Sequence, residues 1–507
     1  MHRRLLAPSA LASCLLLAIP ASAATAAPEP AEPGAPGIGD RYYPDYGNGG
    51  YDVSHYDLRL KYRPSNDRLD GTATLVATTK QALSRFNLDF ALDVSEVRVN
   101  GKKASFARSG KHELEITPAK ALEKGQRISV VVRYSGTPSK VKVDGYTAWH
   151  RTPDGAVAAN EPEAAWWWFP SNDHPLDKAT FDVSVTVPKG TQAVSNGVRT
   201  SESTRSGWTR STWRSDKPQA TYLTTLGVGK FDITTDKTAD GLPVLNAYSK
   251  DLGENAGAAR ASVERSAEVV EWASTVFGPY PFNALGGYVP NTKTGYALET
   301  QTRPFYSPRQ FSRGANPSLI VHELAHQWWG DHVSVRGWQD IWLNEGFASY
   351  AEWLWSEKEG EGTAQELADY IYAEHPADDP FWTVAPGDPG PDKQFDDAVY
   401  DRGALALQAL RTEVGDKTFF KILKGWQKDR AYGNAKVGDF IRYAEKVSRK
   451  PLADLFQTWL YDESRPAAPA AARAGLSTKR HPAEPKSWKQ ISATHSVHDH
   501  ARPGGRH

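Results

Sequence analysis

The hydrophobic repeat changes period near Gly253, and that change constrains the fold more than any other feature of the chain. From Tyr51 to about Lys230 the apolar residues alternate: Tyr56/Leu58/Leu60/Tyr62, Phe86/Leu88/Phe90, Ile128/Val130/Val132/Tyr134 and Phe181/Val183/Val185/Val187. Period-two runs separated by Asn-Gly, Asp-Gly and Pro-Lys-Gly turns describe antiparallel strands with one buried face. Beyond Gly253, ENAGAARASVERSAEVVEWASTVFG predicts a helix ending at Gly278. SLIVHELAHQWWG, WLNEGFASYAEWLWSEKEG, ALALQALRTEVG, KTFFKILKGWQKD and VGDFIRYAEKVS likewise place apolar residues at helical spacing ahead of a stop residue. The expectation is an α+β multidomain chain, with an N-terminal antiparallel β domain over 45–235 and a mostly helical domain over 236–465.

The flanks read differently. Residues 1–27 carry Arg3 and Arg4, an apolar run through Ile19 and the small pair Ala21-x-Ala23, the pattern of a secretory signal peptide. Pro8 and Pro20 cut the run short of a membrane span, and no later run is long and apolar enough for stable membrane insertion. Cys14, the only cysteine, closes a stretch similar to a lipoprotein box, yet the chain stays apolar through Ile19 where a lipid-anchored one turns polar. Secretion is therefore the expectation, and lipid anchoring the lesser alternative. A single cysteine excludes a disulfide scaffold, and 60 Lys+Arg against 60 Asp+Glu leaves no long-range field to hold a nucleic acid. Residues 28–44 are Pro/Gly/Ala-rich, expected as a linker that buries nothing, and 466–507 carry scattered histidines (His481, His495, His498, His500, His507) without periodicity, expected as a flexible solvated tail.

Chemistry concentrates in His322-Glu323-Leu324-Ala325-His326. The i, i+4 spacing puts both imidazoles on one face of a helix, one turn apart, so two nitrogens converge on one ion. Zinc with an open position takes a third protein ligand, and Glu345, separated from His326 by eighteen residues, supplies a carboxylate on a second helical stretch able to fold back. One Zn²⁺ per chain is expected. His332 does not return to the same helical face and reads as structural.

These motifs resemble the zinc aminopeptidases of the gluzincin clan, the group containing alanyl aminopeptidases and the leukotriene hydrolase. His322 to Gly330 (HELAHQWWG) and Asn344 to Tyr350 (NEGFASY) look like its two zinc segments, and the similarity runs over about residues 45–465. The resemblance implies a thermolysin-like catalytic domain behind the β domain. Gly295-Tyr296-Ala297-Leu298-Glu299-Thr300 corresponds to the strand whose glutamate binds the substrate's free amine, which implies that role for Glu299. Tyr296, Leu298 and Thr300 depart from that strand's Gly, Met and Asn. Asn160-Glu161-Pro162-Glu163 looks like a second amine-binding segment and implies the same role for Glu161, although Ala159 stands where the family has Gln. Val399-Tyr400-Asp401-Arg402-Gly403 resembles the segment whose tyrosine sits beside the zinc, which points to Tyr400.

The physical scheme makes Glu323 the general base and places the Tyr400 phenol on the developing oxyanion. The expected substrates are peptides with free amino termini, extended along the strand around Tyr296 to Glu299. Two rivals remain at this point. One is a secreted zinc endopeptidase with an open cleft. The other is a non-catalytic surface-binding protein that uses Trp166-Trp167-Trp168 as a stacking platform.

Overall fold

The computed structural model describes residues 30–143, 145–467 and 481–498, so the signal-like segment and Cys14 lie outside the described residues. An eight-stranded sheet is built from β1 (Tyr51–Arg63), β2 (Arg68–Thr79), β3 (Asp93–Val99), β4 (Lys102–Lys103), β5 (Arg127–Gly136), β6 (Ala179–Pro188), β7 (Val198–Arg205) and β8 (Trp208–Gln219). Its order is β7-β8-β6-β1-β2-β5-β3-β4. Neighbours are antiparallel except β1 and β6, which run parallel with Tyr56 opposite Phe181 and Leu58 opposite Val183. The alternating apolar residues of these strands form one buried core, continuous with Phe86, Leu88 and Leu114 of a smaller sheet.

A second, five-stranded sheet joins this unit to the helices. It comprises β9 (Phe231–Lys237), β10 (Pro243–Ser249), β11 (Leu285–Val289), β12 (Ala297–Leu298) and β13 (Phe305–Tyr306), in the order β9-β10-β11-β13-β12. Both faces are apolar. Leu245, Ala247, Tyr288, Leu298 and Phe305 pack into the β core, whereas Val244, Tyr248, Leu285, Ala297 and Tyr306 pack into the helical core. A sheet covered on both sides needs apolar residues on both, and this one has them. Because β9 spans the expected boundary at residue 235 and pairs with β10 along its length, the second unit starts near Phe231.

The helices are α1 (Ala256–Val263), α2 (Ser266–Phe277), α3 (Pro317–Ala325), α4 (Trp342–Glu359), α5 (Ala364–Glu374), α6 (Asp397–Val414), α7 (Asp416–Asp429), α8 (Val437–Ser448), α9 (Ala453–Phe456) and α10 (Trp488–His498). The single helix expected up to Gly278 is two, broken at Glu264 and Arg265; Gly278 does end the second, with φ 106°. α4 and α6 cross at Gly346 and Gly403. A Cβ on Gly403 would lie 2.6 Å from Trp342 Cδ1 and 3.1 Å from Gly346 Cα, so the approach needs glycine on both helices. Among the described residues no helix is long and apolar enough to cross a membrane.

Two expectations and one rival reading are corrected. Part of the supposed linker is built into the fold: Glu32–Pro33 pairs with Leu83–Asp89, and buried Asp40 accepts from Trp338 N at 2.8 Å and pairs with His174. Composition hid this because buried Asp40 and half-buried Tyr42 and Tyr43, rather than an apolar repeat, anchor the segment. Trp166, Trp167 and Trp168 are fully buried, the first two stacked at 3.5 Å, so they present no platform to a ligand. The supposed tail contains α10, whose Ile491 and Thr494 are fully buried.

Candidate active site

The site is assembled from α3, α4, α6, the edge strand β12 and the loop before β6. Asn316 caps α3 by accepting from Leu319 N at 3.2 Å, with Pro317 at the first helical position. The helix closes at Ala325, earlier than the expected stop at Gly330, and His326 is its C-cap, still bonded through its N–H to the His322 carbonyl. His322 and His326 therefore keep the one-turn spacing.

Hydrogen bonds fix both rings. His322 Nδ1 donates to Glu352 Oε1 at 2.8 Å, and His326 Nδ1 donates to the Trp329 carbonyl at 3.0 Å. Each ring thus turns its Nε2 inward, where Glu345 Oε2 lies 3.3 Å from His322 and 3.4 Å from His326. Ligand atoms around zinc at about 2.0–2.1 Å form a tetrahedron with edges of about 3.4 Å, so the two His–Glu separations match. Two imidazoles and one carboxylate, all buried, fit zinc in donor chemistry as well. Burial alone would raise the Glu345 carboxyl, but His326 and His322 hold it far below the usual carboxylate range.

Four carboxylates share this cleft: Glu161, Glu299, Glu323 and Glu345, with Tyr400 beside them. Burial lifts Glu323 to about 8 against the pull of His322 and His326, and a dication on the neighbouring ligands would bring it down again. Glu299 follows β12, and its carboxylate accepts from the Tyr222 hydroxyl at 2.9 Å while Gln327 Nε2 bonds its carbonyl. Burial raises Glu299, and burial together with Glu299 and Glu345 raises Glu161 well above the usual range. Glu161 Oε1 has no hydrogen-bond partner, and among the described residues no lysine or arginine pairs with either glutamate. Tyr400 sits in the first turn of α6, which Asp396 caps, with its ring 6.0 Å from that of His322 and inclined by 25°. Burial raises its phenol far above the ordinary value, so it keeps its proton.

The structure thus brings His322, Glu323, His326, Glu345, Tyr400, Glu299 and Glu161 to one place. His332 lies outside it, with Nδ1 on Gln427 Oε1 at 3.0 Å. Four supporting residues escape sequence reasoning. Glu352 stands two turns beyond Glu345 on the same face of α4, a spacing that could have revealed it. His495 arrives from the supposed tail. Lys178 donates to the carbonyls of Asp331 and His332 at 2.7 and 3.1 Å, and Arg303 donates to those of Ser195, Leu245 and Gly197. Both pin the helical unit to the β unit, and no local pattern announces either.

Comparison with known proteins agrees with this geometry. Residues 53–223 match the Peptidase M1 N-terminal domain and residues 306–459 the Peptidase family M1 domain. Glutamyl aminopeptidase of Sus scrofa is 30% identical over 369 residues, 68% of this chain and 38% of that protein. The Homo sapiens counterpart is 26% identical over 483 residues, 85% of this chain and 49% of its own length. The chain therefore spans between about two fifths and one half of these curated relatives. The crystal structure of an M1 zinc metallopeptidase from Deinococcus radiodurans superposes with a TM-score of 0.77 at 29% identity, covering 85% of this chain and 98% of that one. A mutant of the Deinococcus enzyme bound to a Tyr-Ser-Ala substrate matches equally, at TM-score 0.77 and 29% identity, over 85% of this chain and 99% of its own. A mutant form is 30% identical with 99% of its length covered, and with both domain models matched in the order in which the two halves are built, the chain belongs to the peptidase M1 family.

Proposed function

We propose that the chain is a zinc aminopeptidase that removes residues from the free amino termini of peptides. The observation that carries this reading is the pair Glu299 and Glu161, two buried carboxylates beside the His322/His326/Glu345 centre that pair with no lysine or arginine among the described residues. Buried carboxylates in this state are stabilised by an arriving cation, and a substrate ammonium is one that an internal peptide bond lacks. His322, His326 and Glu345 would hold the zinc, which would supply Lewis acidity towards water and the scissile carbonyl.

The chain's own residues do the rest. Glu323 takes the proton of the attacking water and returns it to the leaving amine. Protonated Tyr400 donates to the oxygen on which negative charge develops. β12 is the edge strand of its sheet, so an extended peptide can add its backbone there, with its ammonium between Glu299 and Glu161. The Tyr-Ser-Ala bound to the Deinococcus relative supports a short peptide as ligand of such a cleft. Export is part of the same proposal and rests on the signal-like residues 1–27.

Product analysis on an unblocked peptide tests the reading. Single residues should be released in order from the amino terminus, and a chelator should stop the reaction. Internal fragments appearing first would instead favour an open-cleft endopeptidase.

A further inference from the structure

The segment that sequence composition assigns to a solvated tail reaches the back of the metal site. α10 docks on the start of α3: Asn316, the α3 cap, donates from Nδ2 to Thr494 Oγ1 at 3.2 Å. Ser487 and Ser356 hydroxyls meet at 2.7 Å, the Trp488 ring lies 5.5 Å from Tyr370, and Ile491 is fully buried. The docked helix aims His495, 5% exposed, inward.

His495 Nε2 donates to Glu352 Oε1 at 2.9 Å, the same oxygen that accepts from His322 Nδ1 at 2.8 Å. The other Glu352 oxygen accepts from Ser318 Oγ at 2.8 Å. On its far side His495 Nδ1 lies 3.2 Å from Asp401 Oδ1, and Asp401 directly follows Tyr400 on α6. The ring stands 6.0 Å from that of His322 and 5.7 Å from that of Tyr400. Glu352 is 0% exposed and Asp401 7%, and among the described residues neither pairs with a lysine or arginine. His495 therefore lies beside two buried carboxylates, and its removal would take a partner from each, at a cost of the kind an uncompensated buried charge carries.

We propose that His495 is a positioning residue of the metal centre: from α10 it holds Glu352 against the ligand His322 and Asp401 beneath Tyr400, so that the C-terminal helix is a working part of the active site. The geometry supports both halves of this statement. A ligand histidine is oriented by the acceptor on its other nitrogen, and that acceptor is in turn oriented by what bonds it. One imidazole, hydrogen-bonded to Glu352 through Nε2 and 3.2 Å from Asp401 through Nδ1, bridges α4, which carries Glu345, and α6, which carries Tyr400.

The proposal rests on His322, His326 and Glu345 as the zinc ligands, and the experiment separates the two assignments. The zinc dissociation constant is measured by chelator competition on the full chain, with kcat and KM on an unblocked aminoacyl amide, for wild type, His495→Ala, His495→Gln and, on the exposed side of α10, Lys489→Ala. His495→Ala should weaken zinc binding about 10- to 100-fold and lower kcat with KM within about twofold, while Lys489→Ala matches wild type. His495→Gln keeps one N–H for Glu352 and none for Asp401. It should recover most of the zinc affinity but not kcat, a split that a merely structural loss does not produce, and it carries the test if His495→Ala does not fold. Wild-type zinc affinity and kcat in either His495 variant overturn the proposal. Undiminished zinc affinity in His326→Ala would instead overturn the ligand assignment beneath it.

Discussion

Glu323 and His322 are neighbours in sequence, and a helix turns about 100° per residue, so they serve the same site from different directions. That offset fits the proposed role of Glu323 as base rather than ligand, and it makes Glu323→Gln informative. The amide keeps the shape but cannot take a proton. Zinc content should be retained while kcat falls about 10² to 10⁴, and near-normal turnover in a zinc-loaded variant contradicts the assignment. Tyr400→Phe removes one donor to the oxyanion and should lower kcat about 10² to 10³ with little change in KM. A pure KM effect would place the phenol in ground-state binding. The proposed ligands and base are legible in sequence because one helical turn dictates where His322 and His326 point. Glu299 and Glu161 become legible only through resemblance, since β12 and the loop before β6 meet across 138 residues of chain that carry no shared period. The structure also explains the departure at Tyr296. Its hydroxyl donates to the Ala159 carbonyl at 2.9 Å and its ring packs on Phe305, so the side chain belongs to the joint between the units.

Between elements, the decisive contact is the crossing of α4 and α6. Gly346 and Gly403 let the two axes approach until the Trp342 indole N–H bonds the Gly403 carbonyl at 3.1 Å, which brings Glu345 and Tyr400 to the same cleft. Gly403→Ala would drive a Cβ against a fully buried tryptophan and a backbone atom, neither free to move. Overpacking of this kind costs about 1–3 kcal/mol. Denaturant unfolding should show a loss of that size together with reduced kcat, and unchanged values for both would mean that the helices do not meet so closely. Element type followed from period over most of the chain, whereas the break between α1 and α2 did not, because the apolar stripe continues across Glu264 and Arg265. α10 was illegible for a different reason. Its docked face mixes apolar Trp488 and Ile491 with polar Ser487, Thr494 and His495, so no apolar stripe marks it in the sequence.

At the scale of the whole molecule, a sheet apolar on both faces joins two cores, and the active site lies along its edge. Sequence alternation gave the order of the two halves but not this joint, which Arg303 and Lys178 tie with hydrogen bonds to carbonyls far away in the chain. Bound zinc stabilises the native state by mass action, about 2.7 kcal/mol at a free concentration one hundred times its Kd. Chelation should therefore lower the unfolding midpoint, and zinc should restore it in wild type but not in Glu345→Ala. An unchanged midpoint would mean that the native chain holds no metal.

The central claim is that the cleft recognises an amino terminus, and its most direct measurement is kcat/KM for matched free and N-acetylated peptides in wild type and in Glu299→Ala. Losing a charge-assisted contact costs about 1.5–3 kcal/mol, or roughly ten- to a hundredfold. Wild type should favour the free peptide by at least that factor, Glu299→Ala should largely abolish the preference, and Glu161→Ala should do so more weakly. Wild-type cleavage of blocked peptides at internal bonds as fast as trimming of free ones would contradict the amine lock and with it the aminopeptidase reading.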